Sequence, residues 1–223
     1  MISIFRAYQG LDLLIYGGAF VLALLLAFAI HEWAHAYVAH KEGDPTAKAV
    51  GRLSINPLVH IDLLGFAMLL LFGFGWAKPV PVNSSNLRNG RKSELKVSLA
   101  GVVVNLIMTI VFGFLYVLTL LFVTSESVAI LKFLSALMMY LSVTPFVLAI
   151  FNLIPIYPLD GYNALRTLAK NPYNKFFTFM QQYGMWIMLI LLVTGAFSYL
   201  IDLMFRFVLT PLFNLYGLIL GVV

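Results

Sequence analysis

The sequence predicts an all-α polytopic membrane protein, and its composition and length carry that prediction. Of its 223 residues, 62% are hydrophobic and only 10% are charged, whereas soluble domains usually carry about 25% charged residues. The mean hydropathy is +0.97. Several apolar runs reach the ~20 residues with which a helix crosses a bilayer. The length suits one compact helical bundle, so we expect residues 1–223 to form a single transmembrane domain.

Membrane spans are expected wherever an apolar run is long enough. Four runs meet this criterion, at 11–39, 96–124, 129–154 and 176–200. A fifth run, 207–223, is interrupted by Pro211 and could either span the membrane or lie at the interface. The apolar run 63–76 is too short for a span and has basic flanks, so we expect it to be re-entrant or interfacial. Residues 77–82 contain two prolines and suit an extended edge strand or a plain loop equally well.

The basic residues are concentrated in one part of the chain. Eight of the 14 Lys and Arg residues fall between residues 41 and 96. By the positive-inside rule this region is cytoplasmic, so the first span runs inward. The net charge of +5 then indicates the orientation of the chain in the membrane. The expected partner is the lipid bilayer and not a nucleic acid. We expect a multi-pass protein of the cell membrane.

A polar cluster interrupts the first span near its cytoplasmic end, where residues 31–35 read H-E-W-A-H. Residues four apart share a helix face, so His31 and His35 can present two imidazoles to one metal ion. Glu32 is placed to take a proton from a water molecule on that ion. Ionisable groups at membrane depth cost about 3 kcal/mol each, which favours a functional site over a chance match. The chain has no cysteine, so zinc would take His and carboxylate ligands here.

A catalytic zinc site needs a third protein ligand. The stretch 152–161, N-L-I-P-I-Y-P-L-D-G, breaks the helix at the end of the span 129–154. Broken backbone at membrane depth is tolerated only beside protein or a watery cavity. Asp160 lies in this stretch, at the same membrane face as the two histidines, and is the best candidate. The other candidates are expected at the opposite face (Asp12, Asp202), in loops as solvated charges (Asp44, Asp62) or at the interface (His40, His60).

The two polar stretches together resemble the site-2 proteases, the zinc intramembrane metalloproteases. That family combines H-E-x-x-H on one span with N-x-x-P-x-x-P-L-D-G on a later one, and both patterns are complete here, at 31–35 and 152–161. The stretches 43–47, 51–53, 56–58 and 75–81 look like the compact bacterial branch, so no PDZ-like or CBS-like domain is expected. The resemblance covers about residues 20–170.

One departure from the family pattern concerns the span 96–124. The family often has A-G-P-x-x-N there, whereas this chain has Val102 in place of the proline and keeps Asn105. We expect Asn105 to be structural, satisfying backbone groups that the helix breaks leave free.

The resemblance implies an intramembrane zinc endopeptidase that cleaves in or near a transmembrane segment of a membrane protein or peptide. Carried over by motif position, His31, His35 and Asp160 bind one Zn²⁺ per chain, and Glu32 is the general base. Asn152 either donates to the oxyanion or ties the broken helix. The stretch 78–82 is a candidate for strand addition to an unwound substrate. The remaining motif residues are those of the broken helix: Pro155, Pro158 and Gly161.

Three alternatives compete with this interpretation. A zinc transporter needs no glutamate beside the histidine pair, and the chain lacks evident inverted repeats. A membrane zinc protease of another type would take its third ligand from a downstream Glu or His. The glutamates that follow Glu32 are Glu42, Glu94 and Glu126, and none lies in a motif-like context. An inactive, protease-like membrane scaffold would have lost a catalytic group, and every proposed group is present.

Overall fold

The computed structural model describes residues 9–72, 75–124 and 127–222, so Glu126 lies outside the described residues. Within those ranges the architecture is a helical bundle, as predicted, and its β-type pairing is limited to one isolated bridge. The helices, in chain order, are α1 Gly10–Lys41, α2 Thr46–Ala49, α3 Leu63–Phe72, α4 Arg91–Thr119, α5 Ala129–Leu153, α6 Asp160–Leu168, α7 Lys175–Val193 and α8 Ala196–Leu220.

Five of the described helices are long and apolar enough to cross a membrane: α1, α4, α5, α7 and α8. Their most apolar windows have mean hydropathies between 1.6 and 2.6. The protein is therefore a multi-pass membrane protein. The predicted spans 11–39, 96–124 and 129–154 correspond to α1, α4 and α5, whereas the last two predicted spans have different boundaries in the structure.

The centre of the bundle is formed by α1, α4 and α5, each of which packs against the other two. Ala19 and Ala23 of α1 have no exposed surface and lie in one apolar cluster with Met108 of α4 and Leu141 of α5. Small residues let the helix backbones approach closely, as is typical of helix packing in membranes. The helices α6 and α8 also pack against α4, so α4 contacts each helix that carries a candidate ligand.

The boundary between the last two helices was predicted wrongly, at residues 200–207. In the structure α7 and α8 are separated by residues 194–195, and Gly195 has a φ of 75°. This left-handed conformation commonly ends helices, because glycine adopts it without a steric penalty. The helix α8 then continues through Pro211, which follows a π-helical turn, Phe205–Leu209. Such local widening lets a membrane helix accommodate a proline.

The predicted re-entrant run 63–76 contains the helix α3, while its residues 73–74 lie outside the described part. On either side of α3, Ile61 and Ala77 form an antiparallel bridge. The N–H of Lys78 also donates to the carbonyl of His60 at 2.8 Å. These contacts close the base of the α3 loop and start an extended segment, residues 77–83, which we name the strap. Insertion of α3 into the bilayer stays a prediction.

The connection between α5 and α6 places Asp160. The helix α5 ends at Leu153, and six non-helical residues follow before α6 begins at Asp160. A Cβ on Gly161 would lie 2.3 Å from the carbonyl oxygen of Leu153, so α6 starts directly against the end of α5. Pro155 and Pro158 lie in this connection, and the Tyr157–Pro158 peptide bond is cis. Residues of α7 cover the connection: Met188 packs with Ile156 and Leu159.

Candidate metal centre

The three predicted ligands converge at the end of α1. The Nε2 atoms of His31 and His35 are 3.2 Å apart. Oδ2 of Asp160 lies 3.3 Å from Nε2 of His31 and 3.2 Å from Nε2 of His35. The two histidines are 4% and 9% exposed, and 16% of the Asp160 side chain is exposed. The structure thus brings His31, His35 and Asp160 into one buried group that could hold a metal ion.

The spacing and chemistry of these three atoms fit zinc. In tetrahedral zinc sites the metal–ligand distance is about 2.0–2.1 Å, which puts neighbouring ligand atoms about 3.3–3.4 Å apart. The three distances here are 3.2, 3.2 and 3.3 Å. Oδ2 of Asp160 is buried and has no hydrogen-bond partner, although both imidazoles are close to it. Converging lone pairs repel one another, and a cation bound between them removes that cost.

One face of α4 holds the two imidazoles. Nδ1 of His35 donates to the carbonyl oxygen of Val97 at 2.7 Å, and since a carbonyl can only accept, Nε2 of His35 keeps its lone pair. A Cβ on Gly101 would lie 2.5 Å from Cε1 of His31 and from Nε2 of His35. The side-chain amide of Asn105 lies 3.0 Å from Nδ1 of His31. These residues are four apart, so they form one stripe on α4.

Glu32 lies between the metal ligands and the strap. Its Oε2 accepts a hydrogen bond from the backbone N–H of Val80 at 3.0 Å. Directly before this contact the strap is fixed by Arg52, which donates to the carbonyls of Lys78 (3.1 Å) and Pro79 (3.0 Å). Glu32 is therefore held by backbone that follows α3, and not by its own helix alone.

Asp44 anchors the far end of the strap, and here the expectation of a solvated charge is wrong. Its side chain is completely buried. It accepts from the N–H of Asn83 at 2.7 Å, from the amide of Asn86 at 2.9 Å, and from the N–H and hydroxyl of Thr46. Burial alone would raise the pKa of Asp44, but the hydrogen bonds from Asn86, Thr46 and Asn83 outweigh it and hold the pKa below its usual range.

His60 was expected at the membrane interface and not as a ligand. It is 1% exposed, and its Nε2 donates to the carbonyl of Ser54 at 2.7 Å. Asp62 is half-buried, and its Oδ1 accepts from the N–H of Gly65 at the start of α3. Both side chains fix the loop before α3, and neither belongs to the metal cluster.

Asn152 and Glu32 line two cavities that meet at His31. One cavity, of about 400 Å³, is largely polar, and its walls include Glu94, Ser98, Asn163 and Arg166. The other, of about 380 Å³, is apolar and is lined by side chains of α1, α5 and the end of α7: Phe20, Leu24, Phe28, Val147, Phe151 and Leu192. His31, Glu32 and Asn152 line both cavities, so the candidate site lies at the junction of a polar and an apolar space.

The side chain of Asn152 is partly engaged within its own helix. Its Nδ2 donates to the carbonyl of Leu148 at 2.9 Å, the contact expected if Asn152 ties the broken helix. An amide group has two N–H donors, so this bond leaves the second one for a partner in the cavities.

The sequence reasoning missed several groups that shape the site. The strap contacts of Arg52 and Asp44 join residues 26 to 39 positions apart, and no periodic pattern reports such pairs. The stripe on α4 was visible in part, because Gly101 and Asn105 are four residues apart in a helix with small residues. The motif-like stretch 43–47 contains Asp44, and that resemblance was the available signal for its role.

Comparison with known proteins gives one consistent family. A family model described as peptidase family M50 matches residues 19–194. Over 197 residues, 87% of each chain, the sequence is 39% identical to "Putative zinc metalloprotease YwhC" of Bacillus subtilis (strain 168). It is 31% identical over 191 residues to "Putative zinc metalloprotease Rip2" of Mycolicibacterium smegmatis, covering 82% of this chain and 71% of the relative. No solved structure matches the chain significantly.

Proposed function

The chain belongs to peptidase family M50 and is a zinc metalloprotease, and on this premise we propose that it hydrolyses a peptide bond in or near a transmembrane segment of membrane-protein substrates. The observation that carries the proposal is the junction of the polar and the apolar cavity at His31, Glu32 and Asn152. A hydrolase for membrane segments needs both an apolar space for the segment and a polar space for water.

The metal ligands in this proposal are Nε2 of His31, Nε2 of His35 and Oδ2 of Asp160, with one zinc ion per chain. Zinc at such a site lowers the pKa of a water ligand to about 7 and polarises the carbonyl group under attack. The buried surroundings of the two histidines strengthen electrostatic interactions, because water screens them less.

Glu32 is the proposed general base and acid. Its Oε2 is held by the N–H of Val80, so we assign Oε1 to the proton transfer. There it would take the proton of the attacking water and later deliver it to the leaving amine. The hydrogen bond from Val80 orients the carboxylate of Glu32 and occupies its Oε2 atom.

Asn152 is the proposed donor to the developing oxyanion. One N–H of its amide is bound to the carbonyl of Leu148, which fixes the orientation of the group. The second N–H would then donate to the carbonyl oxygen of the substrate as negative charge develops on it.

The two cavities suggest which bond is cut. The apolar cavity suits the apolar part of a substrate, and the polar cavity, with Asn163 and Arg166 in its walls, suits a polar stretch. The scissile bond would therefore lie where an apolar segment gives way to polar residues. The positive charge around residues 41–96 supports the proposal that this junction faces the cytoplasm.

The test is proteolysis of single-span reporter proteins in liposomes, with the apolar–polar boundary moved stepwise along the reporter. We expect cleavage by the wild type near the boundary, loss of cleavage with a zinc chelator and recovery on adding zinc. Glu32→Gln should bind zinc like the wild type and lose about 10²–10⁴ in turnover.

The matched control is Glu94→Gln, which removes a carboxylate from the wall of the same cavity. It should keep the chelator-sensitive cleavage. Retained activity in Glu32→Gln would rule out the proposed base, and absence of cleavage by the wild type across all reporters would contradict the substrate class.

A further inference from the structure

Asn105 occupies a position that the catalytic proposal does not use. Its side chain has no exposed surface and lies against Nδ1 of His31 at 3.0 Å. The helix break lies in the α5–α6 connection, whereas the amide of Asn105 contacts His31 through Nδ2 and has no partner at Oδ1. The expected role, satisfying free backbone groups, is therefore not what the contact suggests. The contact instead joins Asn105 to one of the candidate metal ligands.

The proton of a neutral imidazole can sit on only one of the two nitrogens. If Nδ2 of Asn105 donates to Nδ1 of His31, the imidazole proton must lie on Nε2. Nε2 then has no lone pair for a metal ion. If instead the amide oxygen faces the ring, Nδ1 carries the proton and donates it, and Nε2 is free to bind.

These two amide orientations differ by a 180° turn and occupy the same space. With Nδ2 toward the ring, Oδ1 of Asn105 is buried and has no hydrogen-bond partner. Turning the amide places this partnerless oxygen against the imidazole N–H. One polar group of the amide stays unpaired in either orientation, so the tautomer that the metal site requires decides between them.

The second histidine shows the same arrangement already in place. Nδ1 of His35 donates to the carbonyl oxygen of Val97, which is an acceptor on α4 two helical turns before Asn105. Gly101 lies between them and lets α4 approach both rings. One helix thus offers an acceptor to the outer nitrogen of each imidazole.

We propose that Asn105 is a positioning residue: through its side-chain oxygen it accepts the Nδ1–H of His31 and so holds Nε2 unprotonated and aimed at the metal. This inference deepens the proposed metal site and rests on it. Partners of this kind are worth about 10–100-fold in metal affinity.

The experiment compares zinc affinity of the full chain in detergent, by competition with a chelator, for Asn105→Asp and Asn105→Leu. Aspartate keeps an accepting oxygen, whereas leucine has a similar size and accepts nothing. We expect Asn105→Leu to bind zinc about 10–100-fold more weakly than the wild type and Asn105→Asp to stay within a few-fold of it. Thr109→Val is the matched control, since it removes a buried hydroxyl one turn further along α4 and should leave the affinity unchanged.

If Asn105 had only a structural role, its variants would be less stable, but Asn105→Asp and Asn105→Leu would not differ in zinc affinity. The melting temperatures of the metal-free proteins should therefore be measured beside the affinities. Equal zinc affinities for Asn105→Asp and Asn105→Leu, whether both high or both low, would overturn the inference. If Asn105→Leu fails to fold, Asn105→Ala takes its place, and the same equality with Asn105→Asp overturns it.

The failure of the metal site itself would look different. In that case the wild type would bind no zinc, and both proposals would fall together. Zinc bound by the wild type and by every Asn105 variant alike would overturn only the role of Asn105.

Discussion

The metal cluster and the strap meet at Glu32, but different kinds of contact hold them. His31, His35 and Asp160 are fixed by helices that pack against one another, with α4 touching both imidazoles. The strap, residues 77–83, is fixed by side chains that bind its backbone: Arg52, Glu32 and Asp44. Segments with few packed apolar contacts open locally at low cost in free energy. Substitutions in the two regions should therefore separate zinc binding from turnover.

The largest effect is expected from Gly101→Ala, which disturbs the packing of α4 against the metal cluster. The added Cβ would lie 2.5 Å from His31 and from His35, so one ring or α4 must move. We expect zinc affinity to fall about 100-fold or more, beyond the usual cost of losing an outer contact, measured by chelator competition.

The matched control for this change is Gly18→Ala on α1. A Cβ there meets Phe133 at an ordinary 3.7 Å, and zinc affinity should not change. Normal zinc binding by Gly101→Ala would show that the close approach of α4 does not fix the imidazoles.

A smaller effect, on stability rather than on zinc, is expected from Asp44→Asn at the end of the strap. The amide replaces one accepting oxygen with a donor that faces other donors. Hydrogen bonds to charged groups contribute about 1.5–3 kcal/mol each, so the free energy of unfolding should fall by about 2–3 kcal/mol. Unfolding in mixed micelles measures this, and zinc content should stay at the wild-type level.

The pH dependence of the free energy of unfolding should also differ between the wild type and Asp44→Asn. The pKa of Asp44 is lowered in the folded protein, so its stabilising contribution is complete above the unfolded value of about 3.9. It is lost as the pH falls through the lower folded-state pKa. Below about pH 4 the wild type should lose its advantage over Asp44→Asn; an advantage that persisted unchanged to the lowest pH would contradict this.

The smallest effect is expected from Val80→Pro, which removes the N–H that donates to Glu32. Turnover should fall about tenfold, roughly the value of one hydrogen bond to a charged group, while zinc affinity stays the same. Val82→Pro separates the Glu32 contact from strand addition, because the N–H of Val82 is not the donor to Glu32. If cleavage survived unchanged in both variants, strand addition of substrate to residues 78–82 would also be contradicted.

The sequence was sufficient for the parts of the molecule that follow local patterns. Hydropathy located α1, α4 and α5, and helical spacing placed His31 and His35 on one face. Asp160 was predicted from its place in a broken helix, and the structure brings it beside the two histidines. Gly195 shows the limit of hydropathy, because a single glycine stop divides an apolar stretch that is otherwise continuous.

The rest could not be predicted because it depends on pairs that are distant in sequence. A buried Asp44 looks like a solvated loop residue until Asn83 and Asn86 are known to surround it. The contact of Asn105 could not be predicted for the same reason, since its partner His31 is 74 positions away. Spacing rules describe one helix or strand at a time, and they carry no information on which loop closes over which helix.

The first measurement is the zinc content per chain in detergent, for the wild type and for Asp160→Ala. We expect close to one zinc ion per chain in the wild type and a large loss in the variant, because Oδ2 of Asp160 lies 3.2–3.3 Å from both imidazole nitrogens. Full zinc content without Asp160 would contradict the meeting of the two motifs at one metal. A wild type without zinc, purified under conditions that spare bound metal, would instead point to an inactive scaffold.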